Sequence, residues 1–440
     1  MPILGKTRQR EWETVWKTLA DMKSLFAADE EELGMNGLLE NIQKLVIDQF
    51  QKADAGLPTV WHNIGFGPPL IFALGDDVNH VPLAEMSALC SILGDQADTE
   101  ALIDASEAAG YSPECCSADK GGIGAVVKGL YPDPCCIVGI NTPCDSQVAA
   151  FNSMAELRNK VPCFAIDAPA YDDERTYQYM ASQLRELIPF LEKHTGRKLE
   201  WEKLKQVCET ANRTAEYLWQ WMEYRSLKPT MQPSKLCAFT MVLMITLIGS
   251  PLGEAIAKGL AEDAKRKVES GVKFFDEKVR AIWYQDPVWW DIQLYDWMEA
   301  ELGLTIPMDI FGYYCSEGWI NTKNMDTALY DLGKLTVNAG PMSRQFRLNM
   351  NRYIDDFMTL HKRFQADCGI MAGHVACKHA WGGVGLFKEA CKKAGIPLLL
   401  FEFDMFDSRV LTRKELQFEL KRFVNEIAIP AKERKERAKS

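Results

Sequence analysis

Short apolar runs that favour β-strands alternate with helical patterns over most of this 440-residue chain. The strand-like runs, bounded by glycine or proline, lie at residues 58–66, 136–140 and 163–166, and they return near Ala281, Met308, Gly369 and Pro397. The run 69–74 fits either a strand or the start of a helix, and residues 146–160 carry a helical pattern. Such alternation is typical of α/β folds with parallel sheets.

Helical patterns without intervening strands occupy two parts of the chain. Residues 7–50 have apolar positions at helical spacing and predict a helical lead-in. Residues 172–194 and 200–224 predict a helical hairpin that Gly196 interrupts. The apolar window 236–249 then predicts a buried helix, and further helical pattern follows it.

These patterns predict two α/β domains that face each other across a cleft, because both halves repeat the same rhythm of strands and helices. The predicted segments are an N-terminal helical segment at 1–57, a first α/β domain at 58–171, a helical hairpin with connecting helices at 172–277, and a second α/β domain with a C-terminal helix at 278–440.

Charge and targeting signals exclude several classes of partner. The formal net charge of −11 argues against a nucleic-acid or anionic-membrane surface. The basic residues of 432–439 are interpreted as a solvated helix end. Charged residues begin at Lys6, which argues against a secretory signal, and the most apolar window falls short of the roughly 20 residues that span a bilayer. We therefore expect a cytoplasmic protein that does not span a membrane.

The chain lacks the two common phosphate-binding motifs, G-x-x-x-x-G-K-[ST] and a strand followed by G-x-G-x-x-G. Glycine-rich segments at 121–124 and 382–385 remain, and close backbone packing explains them more simply than ligand binding. Any ATP that the system uses is expected to bind to another protein.

Thirteen cysteines occur without a C-x-x-C pair. Cys144, Cys315 and Cys377 each follow a strand-like run, and the carboxyl ends of parallel strands meet at one edge of a sheet. Cys116 and Cys144 also precede predicted helices, whose amides favour thiolates. These positions predict a metal cluster. Seven others are interpreted as packing residues: Cys90, Cys135, Cys136, Cys163, Cys208, Cys368 and Cys391.

Histidines near Cys377 leave an alternative open. A zinc site on His374, Cys377 and His379 is conceivable, although its ligand spacing is tighter than usual and no second half-site follows. The two histidines fit better as hydrogen-bonding or proton-delivering groups. His62, at another strand end, is expected either to line the same cleft or to pack within the core.

Several segments together resemble the catalytic component of the 2-hydroxyacyl-CoA dehydratase and benzoyl-CoA reductase family. They are residues 114–124, 141–145, 374–378, 395–398 and 403–409. The resemblance implies two flavodoxin-like (Rossmann-like) domains and an iron-sulfur cluster on Cys116, Cys144 and Cys377. It also implies a separate dimeric ATP-hydrolysing activator with its own [4Fe-4S] cluster, which supplies low-potential electrons.

Three additional cysteines, Cys115, Cys237 and Cys315, raise the number of candidate thiolates to six. With six candidate thiolates, the chain resembles the homodimeric double-cubane branch of the family. In that branch, six cysteines hold an [8Fe-9S] cluster that reduces small molecules such as acetylene and hydrazine. We adopt that branch as the leading hypothesis. The groups expected to deliver protons or to hydrogen-bond the cluster are Lys120, His374, Lys378 and His379.

Two other functions stay open at this point. The second hypothesis is that the chain is one subunit of a heterodimeric 2-hydroxyacyl-CoA dehydratase or benzoyl-CoA reductase, which acts on CoA thioesters by radical chemistry with one [4Fe-4S] cluster. A non-enzymatic iron-sulfur protein that only transfers electrons is the third possibility. Iron content separates the first two, and turnover with a reduced activator separates both from the third.

Overall fold

The computed structural model describes residues 48–49, 51–63, 68–83, 96–271, 273, 275–314, 319–339 and 342–438. Most of the predicted N-terminal helical lead-in therefore lies outside the described residues. So do Cys90 and Cys315, for which the predictions from sequence remain predictions.

Eight described strands form two four-stranded sheets in which every pairing is parallel. The first sheet contains β1 (Thr59–His62), β2 (Asn79–Pro82), β3 (Cys136–Ile140) and β4 (Cys163–Ile166) in the order β2-β1-β3-β4. The second contains β5 (Val279–Gln285), β6 (Leu304–Asp309), β7 (Cys368–His374) and β8 (Leu398–Phe403) in the order β6-β5-β7-β8. The predicted α/β class with two parallel-sheet domains is confirmed, and both sheets share the strand order of flavodoxin-like folds.

Helices surround and connect the sheets. In the first half they are α1 (Pro69–Phe72), α2 (Gln96–Ala108), α3 (Ser117–Val127) and α4 (Asp145–Leu157). The connecting region contains α5 (Glu174–Thr195), α6 (Trp201–Ser226), α7 (Leu236–Thr246) and α8 (Pro251–Ser270). The second half contains α9 (Gln293–Trp297), α10 (Met325–Asn338), α11 (Ser343–Arg347), α12 (Met350–Arg363), α13 (Lys378–Gly382), α14 (Val384–Lys393), α15 (Arg413–Phe423) and α16 (Ile429–Arg437).

The sequence pattern did not predict strand β2. The strand β2 reads Asn-His-Val-Pro, a composition depleted in strands, yet all four of its residues are buried. The Asn79 side chain donates to the backbone oxygen of Gln49 at 2.9 Å and to the hydroxyl of Thr59 at 3.2 Å. Tertiary hydrogen bonds thus replace the apolar pattern that would have predicted this strand. The ambiguous run 69–74 begins as helix α1.

The first helix of the predicted hairpin begins and ends at the capping residues that the sequence indicates. Asp173 caps α5 by accepting from the amide of Thr176 at 3.0 Å, and Gly196 ends α5 in the left-handed region with φ of 69°. Most of the apolar helix α7 is buried in the core. In the described part of the chain, no helix combines the length and apolar character needed to cross a bilayer.

Hydrogen bonds join the two halves near the carboxyl ends of their strands. Gln96, at the start of α2, donates to the backbone oxygen of Phe406 at 2.7 Å, just beyond β8. Arg347 at the end of α11 donates to the backbone oxygen of Pro169 at 2.8 Å, just beyond β4. The carboxyl edges of both sheets therefore face a shared region.

Candidate functional site

Each sheet reverses its strand order at one point, between β1 and β3 in the first sheet and between β5 and β7 in the second. Loops that leave such a switch point diverge, and the gap between them is the usual ligand site of open α/β sheets. Cys144 follows β3, and Cys377 follows β7. Sequence-distant thiols are thus placed at equivalent points of the two halves.

Three cysteines directly precede helices, and one of them accepts an amide hydrogen bond at its sulfur. Cys116, Cys144 and Cys377 are the N-caps of α3, α4 and α13. The amide of Ala380 donates to the sulfur of Cys377 at 3.4 Å. At Cys116 and Cys144, burial raises the pKa, and the nearby amides of Ala118 and Gln147 offset part of that rise. Such donors favour the thiolate form of each cysteine.

The three thiols lie close enough to interact electrostatically. Burial is the largest influence and raises the pKa of all three, to about 12 for Cys377. The charge of Cys144 raises the pKa of Cys116 further, and the charge of Cys377 does the same to Cys144. The structure therefore brings together the three cysteines that the sequence had singled out as family ligands.

Buried carboxyls adjoin these thiols. Burial raises the pKa of Asp119 to about 6, and the hydroxyl of Ser146 donates to its Oδ2 at 2.6 Å. Asp286, directly after β5, has a pKa raised to about 7 by burial and then by Asp404. The negative charge of Asp286 in turn raises the pKa of both Cys116 and Cys377. Deprotonation of three buried thiols beside these acids therefore requires a strong positive charge nearby.

An iron-sulfur cluster fits this donor set, because a metal ion deprotonates the thiols that it binds and neutralises their mutual repulsion. Among the described residues, no three His, Cys, Asp or Glu side chains are arranged to hold a single metal ion. The zinc alternative on His374, Cys377 and His379 therefore gains no support. A cluster distributes its protein ligands over separate iron atoms, so its thiolates need not converge on one point.

The other three candidate ligands have different surroundings. Cys237, on α7, is completely buried, and its thiol lies 3.6 Å from the backbone oxygen of Pro307 and 3.8 Å from that of Ile306. Cys115 is half-buried beside Cys116. Cys315 lies outside the described residues.

The predicted proton-delivery groups divide into buried and exposed pairs. Lys120 is buried and donates to Glu107 at 2.7 Å and to the backbone oxygen of Pro113 at 3.0 Å. His374 is fully buried with its Nδ1 3.6 Å from Asp404 Oδ2, and its pKa is lowered mainly by burial.

The other two predicted proton donors are exposed. Lys378 lies 3.6 Å from Asp145, and the ring of His379 stacks on Phe346 with centroids 5.1 Å apart. His62 is buried beside His80 at 3.3 Å, so the interpretation as a packed core histidine is the better one.

Sequence reasoning missed Asp286 and Tyr353. Tyr353, on α12, is buried, accepts a hydrogen bond from Gln285 at 2.5 Å, and has its pKa raised by burial and by the charges of Cys377 and Asp286. Asp286 directly follows a strand-like run, as Cys144 does. The expectation that residues after parallel strands meet at one edge of the sheet therefore applied to Asp286 as well. Nothing in the sequence places Tyr353 there, because only the packing of α12 on β5 does so.

The glycine-rich segment 121–124 is a packing feature, as the sequence favoured. A Cβ at Gly124 would lie 1.9 Å from the backbone oxygen of Leu102, and one at Gly122 would lie 2.4 Å from that of Leu83.

Among the cysteines interpreted as structural, Cys136, Cys208, Cys368 and Cys391 are buried, whereas Cys135 and Cys163 are half-buried.

Known dehydratase subunits are similar to this chain. The alpha subunit of lactoyl-CoA dehydratase from Anaerotignum propionicum is 24% identical over 43% of this chain and 50% of its own length. The alpha subunit of (R)-2-hydroxyglutaryl-CoA dehydratase from Acidaminococcus fermentans is 26% identical over 36% and 34%. The alpha subunit of (R)-phenyllactyl-CoA dehydratase from Clostridium sporogenes is 21% identical over 76% and 81%.

These similarities differ in extent. The chain spans half the length of the first relative, about a third of the second and most of the third. The family model for the D-component of 2-hydroxyglutaryl-CoA dehydratase matches residues 70–427, which include both sheets from β2 onward and all three converging cysteines. The chain belongs to the 2-hydroxyglutaryl-CoA dehydratase D-component family.

Proposed function

We propose that this chain is the catalytic subunit of a 2-hydroxyacyl-CoA dehydratase and holds one [4Fe-4S] cluster on Cys116, Cys144 and Cys377. The observation that supports this function best is the electrostatic coupling of these thiols at the switch points of the two sheets. The relatives named above are dehydratase subunits. The substrate we propose is the CoA thioester of a small 2-hydroxy acid.

A cluster with three cysteine ligands supplies one-electron transfer and an iron atom with an open coordination position. The chain itself must hold protons, because a hydroxyl group leaves more easily when it leaves as water. Asp286, with its pKa near 7, exchanges a proton in the neutral range. His374 is a second candidate, since both of its ring nitrogens lack a hydrogen-bond partner among the described residues.

Two partners belong to this proposal. Low-potential electrons come from a separate dimeric ATP-hydrolysing activator that carries a [4Fe-4S] cluster, which agrees with the missing phosphate-binding motifs of this chain. A related second subunit completes a heterodimer, since the relatives are named as alpha subunits. A homodimer belongs instead to the double-cubane alternative.

The double-cubane reductase remains the second candidate, and the position of Cys115 beside Cys116 favours it. It requires six thiolates at one place. The thiol of Cys237 instead faces two backbone oxygens of β6, with Arg225 and Asp309 as its strongest charged neighbours. The described residues therefore support the three-cysteine arrangement better.

Iron and acid-labile sulfide analysis of the anaerobically purified protein tests the proposal. We expect about four iron atoms per chain, whereas a double cubane requires about eight. Cys237→Ser separates the same alternatives, because it leaves iron content unchanged only if Cys237 is not a ligand. Cys391→Ser, which also changes a buried thiol, is the matched control.

Turnover decides between enzyme and electron carrier. With the reduced activator and ATP, we expect water elimination from lactoyl-, 2-hydroxyglutaryl- or phenyllactyl-CoA. Reduction of acetylene or hydrazine without dehydration would instead establish the double-cubane function. Activity on none of these compounds, in protein with a full iron content, would favour a non-enzymatic electron-transfer role.

A further inference from the structure

A second group of thiols lies at the opposite edge of the first sheet. Cys135 and Cys136 are at the amino end of β3, and Cys163 begins the neighbouring strand β4, paired in register with Ile137. The five residues of β3 separate this edge from the loop that carries Cys144 by roughly 16 Å, at about 3.3 Å per residue. These thiols are therefore distinct from the candidate cluster ligands.

Cys135 and Cys136 form a fixed pair. Their sulfurs lie 4.0 Å apart, within range of an S–H···S hydrogen bond and well beyond the roughly 2.05 Å of a disulfide. The amide of Cys135 donates to the backbone oxygen of Thr59 at 2.8 Å, and Cys136 pairs with Val60 in the sheet. The backbone of both residues is thereby held in place.

The environments of the two sulfurs differ in a way that activates one of them. Cys136 is completely buried, whereas Cys135 is half-buried. The Cys135 thiol donates to the sulfur of Cys136 at 4.0 Å. Once Cys135 loses its proton, the Cys136 thiol donates in return, which lowers the pKa of Cys135 and raises that of Cys136. Burial raises the pKa of Cys163 to about 11. A partly exposed cysteine whose thiolate would have a fixed donor has the features of a reactive cysteine.

We propose that Cys135 is a site of reversible S-thiolation by low-molecular-weight disulfides, with Cys136 as the buried donor that stabilises its thiolate. The Cys135 sulfur attacks one sulfur of the disulfide R–S–S–R. That S–S bond breaks, a Cys135–S–S–R bond forms, and RS⁻ leaves and takes a proton from water. The disulfide is the oxidant, and an excess of free thiol reverses the exchange.

Oxidised glutathione, added anaerobically to the purified holoprotein, is the probe. We expect mass spectrometry of the peptides to show the mixed disulfide first on Cys135, and dithiothreitol to remove it. Equal or faster modification of the half-buried Cys163 or Cys115 would overturn the proposal. Because this comparison uses the unaltered protein, it does not depend on the folding of any variant.

Variants of Cys136 test the role of the donor. Cys136→Ala should slow modification of Cys135 severalfold, because loss of the donor raises the pKa of Cys135 and lowers its thiolate fraction, and higher intrinsic nucleophilicity offsets only part of the loss. Cys136→Ser retains a donor and should keep most of the rate, and Cys163→Ala should leave the rate unchanged. Equal rates in the alanine and serine variants would overturn the role of Cys136.

Discussion

Lys378 Nζ lies 3.6 Å from Asp145 Oδ2, which joins the two halves of the protein directly beside the candidate site. Each residue follows a proposed ligand, Cys377 or Cys144. Both side chains are nearly three-quarters exposed, so the pair contributes well under about 1 kcal/mol to stability. The contact therefore shows that the loops after β3 and β7 approach each other closely, but it contributes little to holding them together.

Substitution of a converging cysteine should remove the cluster. We expect Cys144→Ser to lower the iron content per chain by at least half and to abolish dehydratase activity, because the serine hydroxyl is a poorer ligand for iron than a cysteine thiolate. Iron analysis and the visible absorption of the anaerobic protein measure the loss. Cys163→Ser, a half-buried cysteine at the opposite sheet edge, is the control and should retain full iron. Normal iron in Cys144→Ser would refute the ligand assignment.

Asp309 should make stability fall as pH rises. Burial raises its folded-state pKa to about 7, against about 3.9 in an unfolded chain, so its stabilising contribution is lost between about pH 4 and pH 7. Asp309→Asn removes this loss. The free energy of unfolding of the variant should exceed that of wild type by about 4 kcal/mol at pH 8 and by little at pH 4.

Denaturant unfolding at the two pH values measures that difference. Asp286 and Glu299 also have pKa values raised to about 7, but they are present in both proteins and cancel. A difference that does not change with pH would show that Asp309 is ionised in the folded protein.

Arg347 should be a principal link between the halves. Its side chain is only 2% exposed, and it donates to the backbone oxygens of Pro169 and Tyr171 and to Asn338. Arg347→Ala leaves these acceptors without a donor and should lower the free energy of unfolding by about 3 kcal/mol.

The matched control is Arg352→Ala. Asp172 lies 3.7 Å from Arg347 and 3.3 Å from Arg352, but the side chain of Arg352 is 34% exposed. We expect its loss to cost under about 1 kcal/mol in denaturant unfolding. Similar losses for the two variants would contradict the proposed importance of the buried contacts.

Gly124 should tolerate no side chain. Its Cβ would meet the backbone oxygen of Leu102, so α2 and α3 would have to separate, and Gly124→Ala should cost about 2–3 kcal/mol. Gly259→Ala on α8 is the control, because no atom lies within 4 Å of its added Cβ. That change should stabilise the protein by about 0.5–1 kcal/mol. Thermal unfolding compares the two, and equal effects would contradict the close packing.

Hydrophobic patterning predicted seven of the eight described strands, because parallel strands covered by helices read as apolar runs, and the partly exposed β4 and β8 keep that composition. It missed β2, whose Asn79 and His80 satisfy their polar groups within the core. The position of a residue after a strand correctly placed Cys144 and Cys377 together. The same rule would have found Asp286, had it been applied to acids as well as to thiols.

By itself, the sequence determined the local elements and the family and singled out three cysteines as candidate ligands, since periodicity, capping residues and short motifs depend on neighbours along the chain. Tertiary structure alone decided which of the remaining candidate groups share the site with those cysteines. Cys237 and Cys144 both begin helices, yet one faces the oxygens of β6 and the other interacts with Cys377. Electrostatic coupling and burial depend on distance in space, which the packing of two sheets sets and no spacing along the chain encodes.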